Sequence, residues 1–139
     1  MTKTGAGTLT LTGDNSLSGG VTVSAGSLSI GAGGASGSLA GPLRNNADLV
    51  LNRSGALTLA GDISGSGSLT QRGSGTLTLS GNNSYDGGTT LEAGILELAS
   101  ANALGQAGVI GFAGGTLRFT AANTSDLSAR FSNLAGQQY

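Results

Sequence analysis

Seven carboxylates, Asp14, Asp48, Asp62, Asp86, Glu92, Glu97 and Asp126, are the side chains of this chain suited to acid–base work. Two such groups flanking a glycosidic bond would cleave a polysaccharide. The best-spaced pair is Glu92 and Glu97, which fall on successive short extended runs separated by a turn. Alternation puts both on an outward face, where they read as solvated charges that keep a surface soluble. Serine chemistry lacks its base, because the chain has no histidine and its one lysine, Lys3, reads as lying at a frayed start. The absence of cysteine removes thiolate metal sites and disulfide frameworks. A calcium-binding β-roll needs tandem Gly-Gly-x-Gly-x-Asp. Gly31-Ala-Gly-Gly-Ala-Ser36 lacks the aspartate, and Asp14 and Asp62 stand alone as turn residues. Gly5-Ala-Gly-Thr8 and Gly73-Ser-Gly-Thr76 look like phosphate loops but lead into strands, so no helix dipole would back them. The expectation is no enzyme: no catalytic residue, no cofactor-binding residue, no metal ligand and no cofactor.

The elements that would carry these residues are strands. Thr8-Leu-Thr-Leu-Thr12, Val21-Thr-Val23, Ser27-Leu-Ser-Ile30, Ala56-Leu-Thr-Leu59, Thr76-Leu-Thr-Leu79, Ile95-Leu-Glu-Leu98 and Thr116-Leu-Arg-Phe119 all alternate apolar with polar. A period of two means one face buried and one wet. Between the runs lie corners such as Gly13-Asp-Asn15, Gly19-Gly20, Ala25-Gly26, Gly81-Asn-Asn83 and Ala93-Gly94. Asn15 and Asn83 are expected to bond corner backbone or a neighbouring amide and so fix register, with Tyr85 a corner filler.

The chain also repeats itself. Lys3 to Ile30 aligns without a gap on Gln71 to Leu98, 68 residues further on, with about 15 of 28 positions identical. Self-similarity on this scale marks stacked units that bury their apolar faces against one another. Only five aromatic residues are available to fill a wide sandwich core. Dividing the 68-residue offset into three turns predicts coils of about 23 residues, a three-faced β-solenoid of about six coils rising about 4.8 Å each. The aliphatic residues would form ladders inside, with threonine and serine outside. On that count the Thr-x-Thr element of Thr8–Thr12 and Thr76–Ser80 recurs too sparsely to build an ice-binding plane. Leu79→Asp should then be severe and Thr78→Asp mild. Residues 1–139 read as one solenoid segment with repeat copies 3–30 and 71–98, and with 121–139 as an irregular C-terminal coil or loop.

Gly73-Ser-Gly-Thr-Leu-Thr-Leu-Ser-Gly-Asn-Asn-Ser-Tyr-Asp-Gly-Gly-Thr-Thr-Leu-Glu-Ala-Gly-Ile-Leu-Glu-Leu98 resembles the passenger-associated strand repeat of bacterial autotransporters. That pattern runs G-x-G-T-L-x-L-x-G-x-N-x-Y-x-G-G-T-x-V-x-A-G-x-L-x-L. The first copy matches too, with Leu17 at the tyrosine position. The resemblance implies a right-handed, single-stranded parallel β-helix, all β, from a passenger exported across the outer membrane to the cell surface. It implies a stalk segment that presents distal modules. The alternative is an adhesin or self-associating module that contacts host or neighbouring cells. A polysaccharide-active enzyme and an ice-binding solenoid rank below both.

Composition bounds the partners. A net charge of −1 and six scattered basic residues leave no electrostatic footprint for nucleic acid. No apolar run is long enough for a membrane-spanning helix, so no membrane insertion by this segment is expected. Neither a signal-peptide pattern nor a polar capping coil is visible. Met1 stands directly before an in-phase repeat, as on a piece excised from something longer. Self-association through open solenoid ends is the expected mode of contact between copies.

Overall fold

The computed structural model describes residues 1–132. Among them lie sixteen strands of two to four residues and one 3-10 turn, Ser128–Arg130. Every strand pairing is parallel, and the strands form three sides of a coil. Thr2–Lys3, Val21–Val23, Leu43–Asn45 and Ile63–Ser64 make the first side. Thr8–Leu11, Ser27–Ile30, Asp48–Leu51, Ser68–Gln71, Thr89–Leu91 and Ile110–Phe112 make the second, a ladder of six. The third carries two separate ladders, the pair Asp14–Asn15 and Ser38–Leu39, and then Leu57–Leu59, Thr76–Leu79, Ile95–Leu98 and Thr116–Phe119. The chain visits the sides in the same order on each turn. It is a parallel β-solenoid of about six turns, as the alternation and the repeat predict.

The coil is shorter than the sequence arithmetic suggests. Leu9, Leu28, Leu49, Leu69, Thr89 and Ile110 are consecutive partners on the second side, which sets about 20 residues per turn and not 23. The error lies in assuming a whole number of turns between copies. Thr8–Leu11 is on the second side, yet its counterpart Thr76–Leu79 is on the third. Val21–Val23 is on the first and Thr89–Leu91 on the second. Ser27–Ile30 is on the second and Ile95–Leu98 on the third. The second copy begins one side further round.

Inward residues superpose as ladders. On the third side Leu57, Leu77, Leu96 and Leu117 are partners in one row, and Leu59, Leu79, Leu98 and Phe119 in the next. Burying each of these leucines is worth about 2 kcal/mol. Burial is complete in the middle turns and fades at both ends: Leu9 and Leu11 are half-buried, and Phe119 is 47% exposed. Phe112 and Phe131 meet edge to face with centroids 5.8 Å apart, and Phe131 forms a parallel bridge with Ile110 that opens a further level. Of the C-terminal stretch expected to be irregular, 133–139 lies outside the described residues. In the described part, Asn123 Nδ2 donates to Ser100 O at 2.8 Å and so ties this stretch to the turn beneath.

The corners explain the glycine pattern. Gly26 and Gly94 hold equivalent positions in the two copies, both at positive φ (70° and 63°). A Cβ on Gly26 would lie 2.3 Å from Gly7 O and 2.5 Å from Gly5 O, and one on Gly94 would lie 2.3 Å from Gly75 O and 2.4 Å from Gly73 O. The Ala-Gly corner of one turn therefore sits directly on the Gly-x-Gly corner of the turn below. The phosphate-loop lookalikes are a backbone-to-backbone stacking contact, which only glycine permits.

One turn is longer than the rest, because Asp14 pairs with Ser38. Its extra residues form an exposed bulge over 32–36. Arg53 holds the bulge from the next turn, donating from Nη1 to Gly37 O at 2.7 Å and from Nη2 to Ala35 O.

Candidate functional surface

The two glutamates singled out for acid–base work are each occupied by an arginine of an adjacent turn. Arg72 Nε donates to Glu92 Oε2 at 2.7 Å, and this contact holds the Glu92 carboxyl below its usual range. Arg118 Nη2 lies 2.6 Å from Glu97 Oε2, and Thr78 Oγ1 donates to Glu97 Oε1 at 3.2 Å. Glu97 pairs with the turn above and Glu92 with the turn below, so both serve as inter-coil ties at the surface. The Thr78 contact changes one expectation: aspartate at Thr78 would face Glu97, so Thr58, exposed on the same outward row, is the mild position.

Asp48 and Asp62 serve the coil in the same way. Ser68 Oγ donates to Asp48 Oδ1 at 2.9 Å, and Asn82 N to Asp62 Oδ1 at 2.7 Å. Asp126 accepts from Ser128 N at 2.9 Å, the bond that lowers its pKa. Among the described residues no cluster of carboxylates could hold a metal ion. Among the described residues, two shallow depressions of about 240 and 320 Å³ are lined mainly by Ser, Thr and Gly with Arg72 or Arg44 at the edge, and the lining of neither contains a carboxylate. The two Thr-x-Thr elements lie on different sides, with Ser27, Ser29, Asp48 and Val50 following Thr8 and Thr10. No continuous threonine plane forms.

Asparagine fixes the register, as expected. Asn83 is 1% exposed; its Oδ1 accepts from Ile63 N of the turn below at 2.8 Å, and its Nδ2 donates to Ala103 O of the turn above at 2.6 Å. Asn15 Nδ2 donates to Gly13 O at 2.6 Å and to Ser38 O at 3.3 Å. Asn102 Nδ2 donates to Asn82 Oδ1 at 2.8 Å, a short amide ladder outside the corner.

Lys3 corrects the sequence reading. Far from frayed, it is 8% exposed, and its Nζ donates to Gly5 O at 2.5 Å and Ala25 O at 2.9 Å. The residue in its place in the second copy, Gln71, is 2% exposed and donates from Nε2 to Gly73 O and Gly75 O, both at 3.1 Å. Gln71 thus satisfies both carbonyls of its Gly-x-Gly corner from inside, and Lys3 satisfies the first of its own together with Ala25 O of the next turn. Sequence reasoning passed over both, although a polar residue at an inward position of a strand was the available signal. It also missed Arg130, which donates to Gly108 O at 2.9 Å and Leu104 O at 2.8 Å.

Tyr85 is fully buried, with its hydroxyl 2.7 Å from Thr89 Oγ1. The first copy carries Leu17 and Val21 at these two positions, so the polar pair is present or replaced as a unit. Burial pushes the phenol up to about 12 against the opposing effect of the Thr89 bond. The folded chain keeps the phenol neutral where the unfolded chain ionises it near 10. Its contribution is therefore complete below pH 10 and lost as pH climbs to about 12, by about 3 kcal/mol. In Tyr85→Phe the urea midpoint should lose that alkaline decline. At neutral pH the variant should cost about 1 kcal/mol for the orphaned Thr89 hydroxyl. Urea titrations of both proteins between pH 8 and 12 check this.

No curated protein and no solved structure matches the chain. Two segments, 1–30 and 69–98, match the family model described as passenger-associated-transport-repeat. These are the segments whose strands stand one side apart in the coil, and in both the Ala-Gly corner rests on the Gly-x-Gly corner. Over these two segments the chain is similar to that repeat family, in line with the resemblance read from the sequence.

Proposed function

We propose that this chain is a stalk segment of an exported, surface-displayed autotransporter-type protein, whose task is to hold distal modules away from the cell and to draw the chain outward by folding. The observation that carries the proposal is the unbroken six-strand ladder of the second side over a filled aliphatic interior. Each added turn gains burial and parallel hydrogen bonds from the turn before it, so folding proceeds as a sum of nearest-neighbour steps. The charged side chains support the same role, since Glu92, Glu97, Arg72 and Arg118 are spent on joining turns. The test places the chain between a folded reporter and an export barrel and measures reporter exposure on whole cells by antibody and by added protease. Leu98→Asp, in an inner row, should lower exposure severalfold, and Thr90→Asp, on the outside, should not. Equal exposure for the two would overturn folding-driven export. Saturable binding of the purified chain to cells or a glycan array would favour the adhesin reading.

A further inference from the structure

We infer that the 68-residue repeat is an indexing unit, so that adding or removing one copy turns everything beyond it to the neighbouring side of the coil. The inference rests on the geometry of the two copies and is independent of the export reading. Four strands of copy one have strand counterparts in copy two, and each counterpart is displaced in the same direction. Thr2–Lys3 on the first side corresponds to Thr70-Gln71 on the second, Thr8–Leu11 on the second to Thr76–Leu79 on the third, Val21–Val23 on the first to Thr89–Leu91 on the second, and Ser27–Ile30 on the second to Ile95–Leu98 on the third. From Thr8–Leu11 the second side is revisited three times, at Ser27–Ile30, Asp48–Leu51 and Ser68–Gln71, before Thr76–Leu79 is reached one side on. One copy therefore advances the chain by three turns and about a third, about 16 Å along the axis.

A rotation of this kind is tolerable only if the local contacts travel with the copy, and they do. Leu9 stacks on Leu28 and Leu77 on Leu96, in each case within one copy. Gly26 rests on the carbonyls of Gly5 and Gly7, and Gly94 on those of Gly73 and Gly75. Lys3 and Gln71 each close the same corner from within. The supports for the next turn also recur at their aligned positions. Asn83 Nδ2, which bonds Ala103 O of the next turn, has as its counterpart Asn15, whose Nδ2 donates to Ser38 O of the next turn at 3.3 Å. Inner rows on every side are mostly aliphatic, so a copy finds an equivalent bed whichever side it starts on. Whatever lies distal to such an array is thus aimed by the number of copies beneath it, and three copies restore the original side.

Two measurements test this. The chain has no cysteine, so nitroxide pairs can be placed cleanly at Thr10→Cys with Thr70→Cys and at Thr10→Cys with Thr78→Cys. Thr10 and Thr70 are three levels apart in one outward row, about 14 Å at the strand spacing. Thr78 is one side round from them, and its pair with Thr10 should be longer by a large part of the coil's width. Equal distances for the two pairs would overturn the rotation. The second measurement uses the full chain with residues 31–98 duplicated directly after Leu98. It should unfold in one cooperative transition, with a midpoint no lower than the parent's. Its separation between Thr10→Cys and Gly111→Cys, which share one outward row in the parent, should exceed the pure axial increment. A duplicated chain that melts in two steps, or that lengthens by the axial increment alone, would refute the indexing role.

Discussion

Leu79→Asp should abolish the cooperative unfolding transition, while Thr58→Asp should shift it by less than about 0.5 kcal/mol. Leu79 is 0% exposed and is in register with Leu59 below and Leu98 above. A carboxylate there would have aliphatic partners in both neighbouring turns. Its desolvation costs several kcal/mol even after it takes up a proton, and about 2 kcal/mol of leucine burial is lost as well. A domain of this size holds about 5–15 kcal/mol in total, so one such change removes most of it. Thr58 is exposed on the opposite face of its strand, where a charge stays in water. Urea denaturation followed by far-ultraviolet circular dichroism separates the cases, and equal losses would mean that inside and outside are exchanged.

Gly94→Val is the second large effect, and its cause is steric. The backbone at Gly94 has φ +63°, a region that β-branched residues enter only with strain. The new Cβ would also overlap Gly75 O and Gly73 O, which belong to the turn beneath and cannot rotate away as a side chain would. The two costs together should reach about 4 kcal/mol or more. Gly34, on the exposed bulge, has open space at its Cβ position and no positive φ. Gly34→Ala should leave the melting midpoint within about 2 °C of the parent. A midpoint for Gly94→Val as close to the parent's would mean that the corners do not touch.

The faces of the coil were legible in the sequence because a period of two admits one assignment: Leu77 and Leu79 in, Thr76 and Thr78 out. The coil length was not legible from the offset between copies. All three sides accept the same aliphatic rows, so a repeat can restart on any of them. The shorter spacing from Leu9 to Leu28, repeated from Leu77 to Leu96, carries the true turn length. That Glu92 and Glu97 lie at the surface was legible from the alternation, but their arginine partners were not. What escaped was the second life of polar side chains. Lys3, Gln71, Arg53 and Arg130 spend their donors on corner carbonyls of the chain itself. Such bonds depend on which loop the winding brings alongside, and no local pattern announces them.

The bulge over 32–36 has a practical consequence. It lengthens one turn while the second-side ladder through Ser27–Ile30 and Asp48–Leu51 stays in register, with Arg53 as its latch. A foreign peptide inserted at the exposed Ser36, beyond the bonds that tie Gly33 N to Asn52 O and Gly34 O to Ser54 N, would leave the scaffold's periodicity intact and stand proud of it, a natural mount for an epitope.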